Sequence, residues 1–324
     1  MNINKANIRM WSRLGACGAY GQAMLELPSA DNSMVACTAD LCYYSGLDRF
    51  KNQYPDRFYN VGIAEQNLIG IAGGLAKEGY NPFVSTYASF ATTRALDQVR
   101  INMGYMELPI KLFGLTSGFS VGILGATHTS IEDIAIMRAI PNITILSPAD
   151  ATETIKATLA MAKYDKPVYI RLTGTMGLPI VYNDDYEYKI GKAITVKEGQ
   201  DIAIIATGTM VAYSLKAAEY LEKDGISVRV INMHTIKPLD QNAIDEVLQY
   251  KALITIEEHS KIGGLGGAVA EYISSVKGAP RLLRIGIEDV FYHAGSYEYL
   301  INKAGLTSEA IYTKVKGFME EIEI

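Results

Sequence analysis

The sequence predicts an α/β protein: a doubly wound, mostly parallel-sheet domain followed by a smaller α/β domain. Three observations predict it. Short apolar runs bounded by turns alternate with helical spacing from about residue 8 to 172. The alternation breaks over 174–199, where Pro179, Asn183, Asp184, Asp185 and alternating tyrosines stand, and it restarts at Ile202. Residues 1–175 therefore read as one domain, 176–199 as a linker ending in a short hairpin, and 200–324 as the second domain.

Met10, Leu14, Cys17 and Met24 share one face of a helix over 8–26, and a strand follows at 34–38, ending in Ala39-Asp40-Leu41. A strand entry at 58–63 leads into a helix over 68–75, then come a strand at 83–86, a helix over 89–105 and a strand at 110–115. A Gly-rich loop over 116–130 is followed by a helix, a strand at 143–146, a helix over 149–163 and a strand at 168–172. In the second domain, strands at 202–206, 228–232, 253–257 and 282–287 alternate with helices over 209–223, 240–249, 266–276 and onward to 322. Such alternation implies strands covered on both faces.

The 324 residues suit two domains with a large core. A net charge of -5 without a basic block argues against nucleic acid. No uncharged apolar run reaches a membrane span and the first residues lack a signal-peptide core, so the expected location is cytoplasmic, with no membrane partner. Cys17, Cys37 and Cys42 form neither a C-x-x-C pair nor a metal ladder and read as core thiols.

Glu65 is the one carboxylate in the stretch 58–74. Apolar residues flank it, and Gly70, Gly73 and Gly74 let another backbone approach, so burial is expected. A buried carboxylate can share a proton with a base in the same cavity; alternatively it serves as a first-turn acid favoured by the helix dipole. Asp40 ends a strand where open α/β sheets place ligands, or it is a solvated loop acid. His128 sits in a Gly-rich strand-to-helix loop, the histidine best placed to meet a substrate, whereas His234, His259 and His293 read as structural. Tyr87 and Phe90 could stack on a planar ring or fill core. Arg171 ends a strand and could grip a phosphate or carboxylate, or pair an acid. The run 263–267, Gly-Gly-Leu-Gly-Gly, matches neither a dinucleotide fingerprint nor a P-loop, and Gly118-Phe119-Ser120-Val121-Gly122 has the letters of a nucleophile elbow without its helix.

Taken as an ordered set, 57–67 (Arg-Phe-Tyr-Asn-Val-Gly-Ile-Ala-Glu-Gln-Asn), 82–90, Asp97-Gln98-Val99-Arg100, Gly125-Ala126-Thr127-His128, Ser147-Pro148-Ala149-Asp150 and 167–171 resemble the transketolase and deoxyxylulose-phosphate synthase superfamily. The resemblance covers nearly the whole chain. It matches the pyrimidine-binding domain over 1–175, and Lys237-Pro238-Leu239-Asp240 and Ile256-Glu257-Glu258 match the C-terminal domain. It implies thiamine diphosphate as cofactor, with Glu65 bonding a ring nitrogen of its aminopyrimidine, Tyr87 and Phe90 packing on that ring, and Asp40 lining the cofactor end of a dimer cleft. It further implies that His128 meets substrate oxygens or moves a proton, and that Arg171 holds a sugar phosphate.

Two departures qualify the resemblance. Leu124 stands where the family's loop usually carries an acid, and Thr116 or Ser117 stands near the place of a usual histidine. No Gly-Asp-Gly followed by an Asn pair, the family's diphosphate and Mg2+ motif, occurs in the sequence. The expectation is thus the C-terminal subunit of a split transketolase of carbohydrate (pentose phosphate) metabolism, moving a two-carbon ketol unit between sugar phosphates. It would work with an N-terminal subunit that supplies the Mg2+ and diphosphate site, as an α2β2 assembly with a β–β core. The alternatives are a 2-oxoacid dehydrogenase β subunit, a deoxyxylulose-phosphate-synthase-like enzyme, or a non-catalytic regulatory subunit.

Overall fold

The computed structural model describes residues 1–322. The chain opens with α1 (Lys5–Glu26), whose first turn is capped by Asn4 accepting from the Ala6 and Asn7 amides. There follow β1 (Met34–Thr38), α2 (Asp48–Gln53), β2 (Phe58–Asn60), α3 (Glu65–Lys77) and β3 (Asn81–Tyr87). Next comes α4 (Leu96–Val99), flanked by π-helical turns at Phe90–Arg94 and Arg100–Tyr105. Then β4 (Lys111–Ser117), α5 (Asp133–Ala139), β5 (Thr144–Leu146), α6 (Ala151–Met161) and β6 (Val168–Thr173) complete the first domain.

The second domain runs β7 (Ile194–Lys197), β8 (Ile202–Ala206), α7 (Met210–Lys223), β9 (Val228–Asn232), β10 (Thr235–Lys237) and α8 (Gln241–Asp245). It ends with β11 (Ala252–Ser260), α9 (Leu265–Ile273), β12 (Arg281–Ile287), α10 (Tyr297–Lys303) and α11 (Ser308–Ile322). None of the described helices is long and apolar enough to cross a membrane.

Two sheets result. The first has the order β10-β5-β6-β4-β3-β1-β2, parallel except for β10, which pairs antiparallel with β5. The second has the order β12-β11-β8-β9-β7, parallel except for β7 on β9. All five residues of β1 are buried: Val35 and Cys37 enter one core while Met34 and Ala36 enter another, as expected of a strand covered on both faces. On the second of these faces α1 buries Ile8, Trp11, Tyr20 and Met24, with Tyr20 stacked 3.8 Å from Phe113; each such side chain is worth about 1.5–3 kcal/mol.

The predicted strand bounds at 34–38, 202–206 and 228–232 match the structure. Three expectations change. The 89–105 helix is wound largely as π turns, with the Ala95 amide donating to the Phe90 carbonyl. The linker ends in β7, which pairs with β9 and so forms no local hairpin. And β10 leaves the second domain's run to become an edge strand of the first sheet, tying the two domains together.

Candidate active site

After β1 the chain steps to β2 on one side and then to β3 on the other, so loops leaving the carboxyl ends of β1 and β3 part. That is where open α/β sheets hold ligands. Asp40 follows β1, Glu65 opens α3 just after β2, and Tyr87 ends β3. The Asp40 backbone lies in the left-handed region, at φ 58, as does Thr116 near the end of β4, at φ 56. Backbone strain of this kind concentrates at functional sites.

Glu65 is 3% exposed, as its apolar flanks predict. Its Oε2 accepts from Arg94 Nη1 at 3.0 Å, while Oε1 accepts no hydrogen bond among the described residues. The Arg94 guanidinium also lies 4.0 Å over the Phe90 ring. The π turn explains this contact, because its wider closure brings residue 94 back over residue 90. Phe90, Tyr87 and His128 form one edge-to-face cluster, with centroids 5.9 Å apart for Tyr87–Phe90, 5.7 Å for Tyr87–His128 and 5.3 Å for Phe90–His128. His128 is half-buried; Thr127 Oγ1 lies 2.9 Å from its Nδ1, and Nε2 has no protein partner among the described residues. Thus Glu65, Tyr87, Phe90 and His128 come together, with Arg94 joining the carboxylate to the rings.

Asp40 is exposed at the same edge. Asn60 fixes it: its Oδ1 accepts from the Asp40 and Gly62 amides at 2.9 and 3.1 Å, and its Nδ2 donates to Asp40 Oδ1 at 3.1 Å. Neither Arg94 nor Asn60 was singled out from sequence, because both contacts depend on where separate segments meet.

Arg171 is a correction. It is 1% exposed, and Nε and Nη2 donate to Asp133 Oδ2 and Oδ1 at 2.9 and 3.0 Å, while Nη2 also donates to the Glu258 carbonyl at 3.2 Å. Burial works against the charge on Asp133, but the Arg171 guanidinium, with His259 and Tyr169, outweighs it and holds the carboxyl below its usual range. The guanidinium is spent on a buried ion pair and cannot grip a sugar phosphate. The strand-end position was read correctly; what the linear pattern hid was Asp133, delivered by α5.

The other candidates are structural. His234 is buried and stacked 4.4 Å from Tyr188, His259 Nδ1 lies 2.7 Å from the Ser260 carbonyl, and burial pushes both imidazoles down to about 4. The 263–267 glycine run opens α9 over Glu257, which accepts from the Leu265 and Gly266 amides at 2.6 and 2.8 Å. Ser120 donates to the Ser117 carbonyl at 2.7 Å and has no helix behind it. Ile123 and Leu124 are exposed at the tip of the loop.

Residues 15–176 match the transketolase pyrimidine-binding domain, and residues 191–311 match the transketolase C-terminal domain. The chain belongs to the transketolase family. Every residue of the clustered site lies inside the pyrimidine-binding match. A putative transketolase C-terminal section of Methanocaldococcus jannaschii is 40% identical over 306 residues, covering 94% of this chain and 95% of that protein. A 6-deoxy-6-sulfo-D-fructose transketolase subunit of a Clostridium species is 41% identical and covers 90% of each. The chain also matches a 1-deoxy-D-xylulose-5-phosphate synthase of Carboxydothermus hydrogenoformans at 35% identity, spanning 96% of this chain and 50% of that enzyme. Among solved structures, a split gene transketolase described as an inactive beta4 tetramer superimposes with a TM-score of 0.83 at 38% identity, covering 92% of this chain and 96% of that one. Transketolase-family members use thiamine diphosphate.

Proposed function

We propose that this transketolase-family chain is the pyrimidine-binding subunit of a thiamine diphosphate-dependent transketolase. It moves a two-carbon ketol unit between sugar phosphates together with a separate N-terminal subunit. One observation carries the proposal: a buried carboxylate, Glu65, keeps one oxygen unspent beside a cluster of two aromatic rings and an imidazole, in a chain as long as the split-gene relatives. These residues fit an aminopyrimidine, which needs an acid at a ring nitrogen and apolar faces above and below.

Thiamine diphosphate, when bound, supplies the electron sink that cleavage beside a carbonyl requires. Glu65 Oε1 holds the proton at the pyrimidine nitrogen, and Arg94 fixes the carboxylate through Oε2. Tyr87 and Phe90 orient the ring and exclude water. His128 Nε2, without a protein partner, meets substrate oxygens or passes a proton, and Asp40, set by Asn60, lines the cofactor end of the cleft. The diphosphate and Mg2+ fall to the partner, since this sequence carries no Gly-Asp-Gly with an Asn pair.

The β4 relative supports an α2β2 assembly built on β subunits. Exposed Ile63 and Tyr59 beside Glu65, and Tyr105 and Met106 after the second π turn, give the apolar surface such an assembly covers. With Arg171 buried, the substrate's anionic end is held by some other group, and the sulfo sugar in the Clostridium relative's name supports an anionic sugar as the substrate class.

The test is reconstitution with the N-terminal subunit, thiamine diphosphate and Mg2+, assayed for ketol transfer from fructose 6-phosphate to an aldose phosphate. Transfer without CO2 release is expected. The synthase relatives favour a second reading, pyruvate condensation with glyceraldehyde 3-phosphate, which releases CO2 and would replace the first.

A further inference from the structure

The loop that presents His128 is held from behind by the C-terminal domain. Its two legs meet at a neck, where the Gly118 amide donates to the Ser130 carbonyl at 2.8 Å and the Ser130 amide donates back at 3.3 Å. On the outgoing leg, the Phe119 amide donates to Glu258 Oε1 at 2.7 Å, and the buried Phe119 ring joins the second domain's core, 5.4 Å from Tyr292. On the returning leg, the Ser260 amide donates to the Ile131 carbonyl at 2.7 Å. At the tip, the Gly295 amide donates to the Gly122 carbonyl at 3.1 Å, and Leu300 of α10 leaves no room for a side chain at Gly122.

Glu258 is the centre of this grip. It is 1% exposed, and its Oε2 accepts from Thr209 Oγ1 at 2.6 Å and from Tyr297 Oη at 2.7 Å, so β11, the start of α7 and α10 all converge on one carboxylate. Gly118, at φ 64, is the residue that permits it: a Cβ there would stand 2.2 Å from Glu258 Oε1. A fully satisfied buried carboxylate is rigid, and what it holds on the loop side is a backbone amide.

We infer that Glu258 is a positioning residue: through the Phe119 amide it sets the loop that aims His128 at the Tyr87–Phe90 rings. On this inference the C-terminal domain has a task in the site, to which it contributes no side chain of the cluster. The catalytic weight given to the loop rests on the transketolase reading above, whereas the clamp itself does not.

The experiment uses the full-length chain. Tyr297→Phe removes one donor to Glu258 without touching the loop, and Glu258→Ala removes the acceptor. Amide exchange is followed by mass spectrometry for peptides spanning 118–130 and, as an internal reference, for strand β8. The His128 imidazole resonance is followed by 1H–13C NMR and assigned by its loss in His128→Ala. Exchange over 118–130 should rise about tenfold in Glu258→Ala and less in Tyr297→Phe, with the reference strand unchanged and the His128 resonance shifted. If Glu258→Ala does not fold, Tyr297→Phe carries the same test. Unchanged loop exchange, a rise shared equally by β8, or an unmoved His128 resonance would each overturn the inference. These readouts need no turnover, so their failure leaves the thiamine reading standing; failure of that reading would show in the reconstituted wild type instead.

Discussion

Glu65 has two oxygens with separate duties, and this makes a sharp prediction. Arg94 requires an acceptor at Oε2. In Glu65→Gln the amide oxygen is therefore drawn to Arg94, and the NH2 faces the position of Oε1, where it can donate to a ring nitrogen but cannot give up and recover a proton. Cofactor binding and assembly should survive while turnover falls by more than about tenfold, a barrier increase above ~1.4 kcal/mol, measured by calorimetry and steady-state kinetics on the reconstituted enzyme. Retained turnover would remove Glu65 from the chemistry. Arg171 gives the opposite kind of prediction. Arg171→Ala leaves Asp133 buried and unpaired, so it should cost about 3–5 kcal/mol of stability in urea unfolding, and a stable variant with a defect only for phosphorylated substrates would contradict the ion-pair assignment. At this scale the sequence showed Glu65, Tyr87, Phe90 and His128, because apolar flanks, an i, i+3 pair and a Gly-rich loop are local signals. It did not show Arg94, Asn60 or Glu258, whose roles are made by tertiary contact, and it misjudged Arg171 because its partner lies 38 residues away.

Helix α6 illustrates how an element can carry a pH dependence. Asp150 caps it, accepting from the Glu153 amide at 2.8 Å, and reaches the linker through the Val181 and Tyr182 amides. Glu153 is fully buried and accepts from Asn232 of β9 and from the Ala149 amide, stitching the first domain to the second. Burial pushes the Glu153 carboxyl up to about 7 from its ordinary 4.5. Between those values the folded chain keeps a proton that the unfolded chain releases, so this group's contribution to stability is lost as pH rises through the window. Gln at 153 cannot titrate. The stability of Glu153→Gln relative to wild type should therefore rise from about pH 5 to about pH 8 in urea unfolding, and a flat or falling difference would refute the buried-acid account. The strands of both sheets were legible because apolar runs between turn residues have few other uses. The three-residue β10 and the π winding at 90–105 were not, since an edge strand that short has no periodicity and a π turn has the composition of an α-helix.

The whole molecule is two α/β layers that share their core: Val35, Ile134 and Tyr169 of the first domain lie in one apolar cluster with Ile205, Ile231 and Leu265 of the second. The seam also carries β10 and the Glu258 clamp, so the division at about 175–200 marks a change of sheet more than a mechanical boundary. What one chain offers is half a site: an acid, a cluster of two aromatic rings and an imidazole at the carboxyl edge, with no diphosphate motif in the sequence. The central claim is that the other half comes from a partner. The most direct test fixes the concentration of this chain, saturates thiamine diphosphate and Mg2+, and measures ketol transfer while the N-terminal subunit is titrated in. The account predicts no turnover without the partner and a linear rise that saturates at one partner per chain; robust turnover at zero partner, or none at saturation, would contradict it.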